Sequence, residues 1–263
     1  MDYWAAFAYR LIELMDLQEG TKVLDIGTGH GDCLLAAAKK IGSKGHLIGI
    51  DKWKGCVDKT NENIKKNSLM NAYAEEMDAR NLTYNDNTFD YTTFGFVGFD
   101  DTYDFQNNEY RTENTKMKHI LRVLKPGGKA GFSTWLLQED LKCLKELIQA
   151  YLSKYSSSTA EEIENVPTSY SPETIDGFER IMIDAGFKDI KMISEDFYLR
   201  YESVDDWFDM MKQVGWILKQ IIGEDEDKIN DFKEKMLPKG LIPYKRKDGY
   251  YFTKRVLFGF GKK

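Results

Sequence analysis

A chain of 263 residues with 42% hydrophobic content can bury a large core, either as one elaborated domain or as a domain with a cap. Its 43 acidic residues outnumber its 37 basic ones, and the net charge of −6 argues against a broad phosphate-binding surface and so against an RNA or DNA substrate. No apolar run reaches membrane-spanning length, and the start of the chain has neither a basic segment nor a small-residue cleavage site, so a cytoplasmic protein is expected. Cys33, Cys56 and Cys143 lack metal or disulfide spacing and are expected to be small buried fillers.

The opening MDYWAAFAYRLIELMDL sets Trp4, Phe7, Leu11, Leu14 and Met15 near helical spacing, a helix packed onto the body. VLDIGTGHG, residues 23–31, follows as a short apolar strand ending in an acid and a loop with three glycines, and LLAAAKKI then reads as a helix. Gly27, Gly29 and Gly31 sit in the turn, where the lack of a Cβ permits positive φ and lets a ligand lie against the backbone. A dinucleotide fingerprint would need its third glycine where this chain has Asp32. HLIGID, residues 46–51, is a second apolar strand ending in an acid, placed for a ribose diol. Asp78 and Ala79 come next, then the strand FDYTTFGF, then a helix, a Pro-Gly-Gly stop at residues 126–128 and a further strand, KAGFSTW.

These stations share one order: D-x-G-x-G-x-G from Asp25, the acid Asp51, the Asp78-Ala79 pair, the fourth strand and KPGG at 125–128. The set resembles the class I S-adenosylmethionine-dependent methyltransferases, firmly over the first half of the chain and loosely over the second. The resemblance is to the ubiquinone/menaquinone-biosynthesis type and its small-molecule relatives. It implies an α/β fold: a Rossmann-like, seven-stranded, mostly parallel sheet with helices on both faces and a helical cap inserted before the last strand. It also implies S-adenosyl-L-methionine as cofactor, with S-adenosyl-L-homocysteine as product. By the same resemblance Asp25, Gly27, Thr28, Gly29 and Gly31 hold the cofactor, Asp51 takes the ribose, and Lys52, Trp53, Asp78 and Ala79 lie at the adenine. Phe94 falls at the end of the fourth strand near the methyl group, and Tyr3 and Tyr9 lie in a leading segment that covers the methionine end. Trp53 either stacks on adenine or packs beneath the sheet edge.

The second half continues with a helix from LQEDLKCLKELIQAYLSKY, a break around Pro167, and Ser171-Pro172 as the start of a helix that stops at Gly186. A sixth strand, KDIKMISEDFYL, leads into a helical insertion and then the last strand, YYFTKRVLFGFG. The expected division is a core of 1–201 and 248–263 with a cap of 202–247. Trp207, Phe208, Met210, Met211, Trp216, Ile217 and Leu218 make the cap apolar; each is a core residue by default, and together they suit a partly hydrophobic acceptor. The basic, aromatic stretch YKRKDGYYFTKR reads as a solvated turn into the last strand.

The predicted activity is methyl transfer to a small, partly hydrophobic acceptor by in-line displacement, a reaction that needs a base only if the nucleophile arrives protonated. His30, Asp100 and Tyr103 are the candidates for that role, each with a plainer reading as loop filler, cap or solvated group; Asp101 and Asp104 accompany them. The chain has no N-P-P-Y segment, which argues against nucleobase and glutamine methylation, and no cluster at metal-ligand spacing. An NAD(P)-dependent oxidoreductase and an inactive methyltransferase-like scaffold are the alternatives. The oxidoreductase is opposed by Asp32, which stands where its fingerprint needs a third glycine.

Overall fold

The computed structural model describes residues 3–113, 115–155, 159, 173–214, 218, 222–223 and 225–263. Its first element, α1 (Tyr3–Met15), buries Phe7, Ala8, Leu11, Ile12 and Met15 along one stripe. Met15 lies over Gly131, where a Cβ would stand 2.6 Å from the Met15 sulfur, so a strand glycine lets the helix seat closely. Leu14 is only half-buried and Trp4 stays 42% exposed.

The chain then alternates β1 (Lys22–Ile26), α2 (Asp32–Ile41), β2 (His46–Asp51), α3 (Lys54–Lys66), β3 (Ala72–Glu76) and β4 (Phe89–Gly95). A short hairpin of β5 (Tyr103–Asp104) and β6 (Glu109–Tyr110) precedes α4 (Thr115–Val123) and β7 (Leu124–Gln138). After these come α5 (Glu139–Tyr155), α6 (Ile175–Ala185), β8 (Lys188–Tyr201), α7 (Val204–Val214), α8 (Glu226–Gly240), β9 (Lys245–Arg246) and β10 (Gly249–Lys262). The main sheet runs β3-β2-β1-β4-β7-β10-β8, with β9 pairing antiparallel to β10 as an eighth strand beyond the seven expected. The pairs β2–β3, β1–β2, β1–β4 and β4–β7 are parallel. β1 and β2 are buried almost throughout, as parallel strands covered on both faces must be. The fold is therefore the mostly parallel, Rossmann-like α/β sheet that the motifs implied.

The register places the site. Asp25 pairs with Gly49 and Ile26 with Ile50, so β1 and β2 end together and bring the glycine loop beside Asp51. β1 lies between β2 and β4, at the point where strand order reverses and open sheets hold ligands beyond the strand ends.

Three strands run longer than the sequence suggested, and β7 includes the Pro-Gly-Gly segment expected to be a stop. Gly127 takes φ +78 and donates its N–H to the Lys263 carbonyl, while the register against β4 shifts between Phe89 and Tyr91. Ser171 and Pro172 lie outside the described residues. α6 begins with the Thr174 hydroxyl accepting from the Gly177 N–H and ends at Gly186 with φ +103.

The chain divides into two units. The first comprises Met1–Trp135, Glu173–Glu195 and Val256–Lys263, and the second Leu136–Pro172 and Asp196–Arg255. The second unit has its own core, in which Trp207, Phe208, Met211, Leu218 and Phe232 of the expected cap are buried together with Phe252 of the last strand, so these cap residues pack internally. Met210 packs partly against it, and Trp216 and Ile217 fall outside the described residues. Within the basic stretch Lys254 is buried and paired with Asp140 at 2.6 Å, and Arg255 pairs with Asp196 at 2.6 Å.

Candidate active site

The glycine loop is held on every side by named bonds. Thr28 N–H donates to the Ile50 carbonyl at 2.8 Å, which ties the loop to β2. Gly29 N–H donates to Asp51 Oδ2 at 3.1 Å, and the other Asp51 oxygen accepts from Trp53 N–H at 2.9 Å. From α3, the Thr60 hydroxyl donates to the Gly29 carbonyl at 2.8 Å and the Asn63 amide to the His30 carbonyl at 2.9 Å. Thr60 and Asn63 carry no sequence signal, because helix-face hydroxyls and amides are common; only the fold shows that they face the loop.

Gly27, Gly29 and Gly31 all have positive φ, at +65, +55 and +91. A Cβ on Gly27 would stand 2.5 Å from Val97 Cγ2, whereas a Cβ on Gly29 would meet nothing within 4 Å. Gly29 thus opens onto free space, and that space is one of two adjoining cavities.

The first cavity, about 270 Å³, is lined by the loop, His30, Cys33, Cys56, Ser133 and Trp4. The Ser133 hydroxyl is buried without a hydrogen-bond partner, and Asp25 lies in the wall. Both Asp25 oxygens are engaged, by Thr28 at 2.7 Å and Thr93 at 2.6 Å, and burial pushes its pKa up to about 6. The second cavity, about 340 Å³, is lined by Asp51, Lys52, Trp53, Asp78, Ala79 and Asp100 among others. Asp78 pairs with Arg80 at 2.5 Å, which holds its pKa at about 2. Asp101 instead pairs with buried Lys116 at 2.6 Å; the Lys116 ammonium also donates to the Gly98 carbonyl and fixes the loop after β4.

The structure therefore gathers Asp25, Gly27, Thr28, Gly29, Asp51, Lys52, Trp53, Asp78, Ala79, His30 and Asp100 around two adjoining cavities. Gly31 stands behind the loop, where its missing Cβ admits Thr60 at 3.1 Å. Trp53 is 65% exposed at the cavity edge, which removes the alternative of packing beneath the sheet.

Phe94 and Tyr103 are elsewhere. The Phe94 ring is 1% exposed and stacks on Phe132 at 5.2 Å, because β4 turns that position into the core. Tyr103 is 1% exposed and its hydroxyl donates to Asn108 at 2.5 Å. Tyr9 points to Lys39 rather than into a cavity, and from α1 it is Trp4 and Ala8 that reach the first cavity. Phe96 lines both cavities.

These features fit S-adenosylmethionine by chemistry. Each Asp51 oxygen accepts one backbone N–H bond and retains a lone pair for a ribose hydroxyl, Gly29 leaves backbone open to close approach, and the Ser133 hydroxyl awaits a polar partner. Among the described residues no group of side chains is arranged to hold a metal ion.

Comparison with known proteins agrees with this geometry. A family model described as a methyltransferase domain matches residues 17–186. A demethylmenaquinone methyltransferase of Staphylococcus epidermidis is 30% identical over 191 residues, covering 68% of this chain and 73% of that protein. One from a Geobacillus species is 35% identical over 115 residues, so this chain spans only 45% of that relative's length. The solved structure of the Bacillus subtilis YcgJ protein shares the fold at a TM-score of 0.60 and 17% identity, covering 98% of each chain. A Haemonchus contortus phosphoethanolamine N-methyltransferase solved with S-adenosyl-L-methionine shares it at a TM-score of 0.54 and 17% identity, over 98% of this chain and 52% of that one. The chain belongs to the methyltransferase-domain family, as a class I S-adenosylmethionine-dependent methyltransferase of the ubiquinone/menaquinone type.

Proposed function

We propose that this protein transfers a methyl group from S-adenosylmethionine to a small, partly hydrophobic acceptor. The observation that carries this reading is the open backbone at Gly29 joined through its amide to Asp51. In this reading Asp51 holds the ribose diol, Asp78 and Ala79 meet the adenine, and Lys52 and Trp53 border it. The glycine loop and Ser133 receive the methionine end. Bound there, the cofactor supplies an already activated methyl on a sulfonium.

The protein's part is alignment and exclusion of water, which in favourable cases lowers a barrier by roughly 7 to 11 kcal/mol. His30 and Asp100, which line the cavities, remain the candidates for accepting a proton from the acceptor. Tyr103 is set aside by its burial. The apolar character of the acceptor rests on Trp4, 42% exposed at the first cavity, and on Phe96. Demethylmenaquinone, named for the relatives, belongs to that chemical class and is the first acceptor to assay. A 202–247 cap is kept as part of this proposal, as is a cytoplasmic location; no helix of the described residues is long and apolar enough to cross a membrane.

Calorimetric titration of S-adenosylmethionine, S-adenosylhomocysteine and NAD into wild type and Asp51→Ala tests the reading. Binding of both adenosyl ligands, weakened at least tenfold in the variant, supports it. Binding of NAD alone would sink it in favour of an oxidoreductase.

A further inference from the structure

Among the described residues only Gly27 and Phe96 line both cavities. The second cavity holds the acids suited to a nucleoside, and the first holds the loop and Ser133. A ligand made of a nucleoside and an amino-acid chain, joined through one atom and laid across both, has its joining atom beside the residues they share. In S-adenosylmethionine that atom is the positively charged sulfur. Gly27 offers no side chain there, whereas Phe96 offers an aromatic ring.

The backbone at Phe96 is as unusual as its position. Its φ is +56, a left-handed conformation that a bulky residue adopts only when its surroundings over-determine it. Its N–H donates to the Ser133 carbonyl at 2.7 Å, and its ring packs 4.3 Å from Trp135, 5.2 Å from Trp4 and 5.5 Å from Phe7. A regular continuation of β4 would turn position 96 to the same face as Phe94, whose ring lies in the core. The left-handed turn takes Phe96 out of that alternation, residue 96 lines both cavities, and three aromatic neighbours hold its ring.

We propose that Phe96 presents its π-face to the sulfonium, so that the pocket distinguishes the charged methyl donor from the neutral thioether product. The two ligands differ by one methyl group and one positive charge at a single atom. A ring quadrupole attracts a cation and is nearly indifferent to a thioether of the same shape. Phe96 is thus a positioning and selectivity residue whose effect falls on the donor, favouring exchange of product for fresh cofactor. This inference rests on reading the two cavities as the S-adenosylmethionine site.

The test is the ratio of dissociation constants for S-adenosylhomocysteine and S-adenosylmethionine, measured by calorimetry in wild type, Phe96→Leu, Phe96→Met and Phe96→Tyr. Loss of the ring should weaken S-adenosylmethionine about three- to tenfold, while S-adenosylhomocysteine changes less than about twofold. Tyrosine should keep the wild-type ratio. Circular dichroism establishes which variants fold, and methionine serves where leucine does not. Equal weakening of both ligands by leucine or methionine, or an unchanged ratio, overturns the inference and leaves the methyltransferase reading standing. Failure of wild type to bind either ligand overturns both, a result distinct from the first.

Discussion

Asp25 heads the D-x-G-x-G-x-G motif, and its surroundings give it a measurable signature. It is 2% exposed and its two hydroxyl donors do not offset the loss of water, so its pKa rises from 3.8 to about 6. A raised pKa means that the folded state binds the proton more tightly than the unfolded chain does. The resulting stability is fully present below about pH 4 and is lost as the pH climbs through 6. Asp25→Asn should therefore become steadily more stable relative to wild type between those values, by at most about 3 kcal/mol, and the difference should level off above them. Urea unfolding of both proteins from pH 4 to 8 checks this, and a flat difference would count against a proton on Asp25. Residue identity alone revealed Asp25 and Asp51 as acids at strand ends; it could not reveal that Thr93 occupies one of them from 68 residues away.

The strand-loop-helix formed by β1, the glycine turn and α2 separates two roles that three glycines share. Gly27 and Gly29 both require positive φ, for which a side chain costs about 1–2 kcal/mol. Only Gly27 has a neighbour in the way, Val97 at 2.5 Å from the added Cβ. Gly27→Ala should lower stability clearly more than Gly29→Ala does. Gly29→Ala should cost only about the backbone strain, yet weaken S-adenosylmethionine binding at least tenfold by filling the space the ligand approaches. Thermal unfolding with calorimetric titration separates the two, and equal behaviour would refute the distinction. This element was legible because apolar strands and glycines are local signals. The end of β4 was not: period-2 alternation puts Phe94 and Phe96 on one face, and the left-handed backbone at Phe96 breaks that alternation. Likewise the length of β7 depends on its partners, including the Lys263 carbonyl that receives Gly127 N–H, rather than on its own Pro-Gly-Gly.

Over the whole molecule, every described residue lining the two cavities falls in the first unit, while the second carries a buried ion pair of its own. Asp140 and Lys254 have side chains 1% and 6% exposed, with Tyr201 donating to Asp140 at 3.0 Å and Lys254 to Gln138 at 3.0 Å. Removing one partner strands the other charge, and losses of about 3–5 kcal/mol are typical. Lys254→Met should lose stability on that scale while the dissociation constant for S-adenosylmethionine stays within about twofold. Denaturant unfolding and titration decide it, and a large loss of affinity at retained stability would contradict the independence of the site. No local pattern announced this pair, since Asp140 lies 114 positions before Lys254, and Lys254 sits in a stretch that looks like a solvated basic turn.

The double duty of Asp51 bears on redesign. One carboxylate latches the glycine loop through Gly29 and the start of α3 through Trp53, so altering it to admit an unnatural nucleoside would release both elements at once. Asp78 and Arg80 are hydrogen-bonded to each other and within their own short turn. An engineer seeking a pocket for modified cofactor analogues has a separable handle in that pair, and a poor one in the acid that looks most like the obvious target.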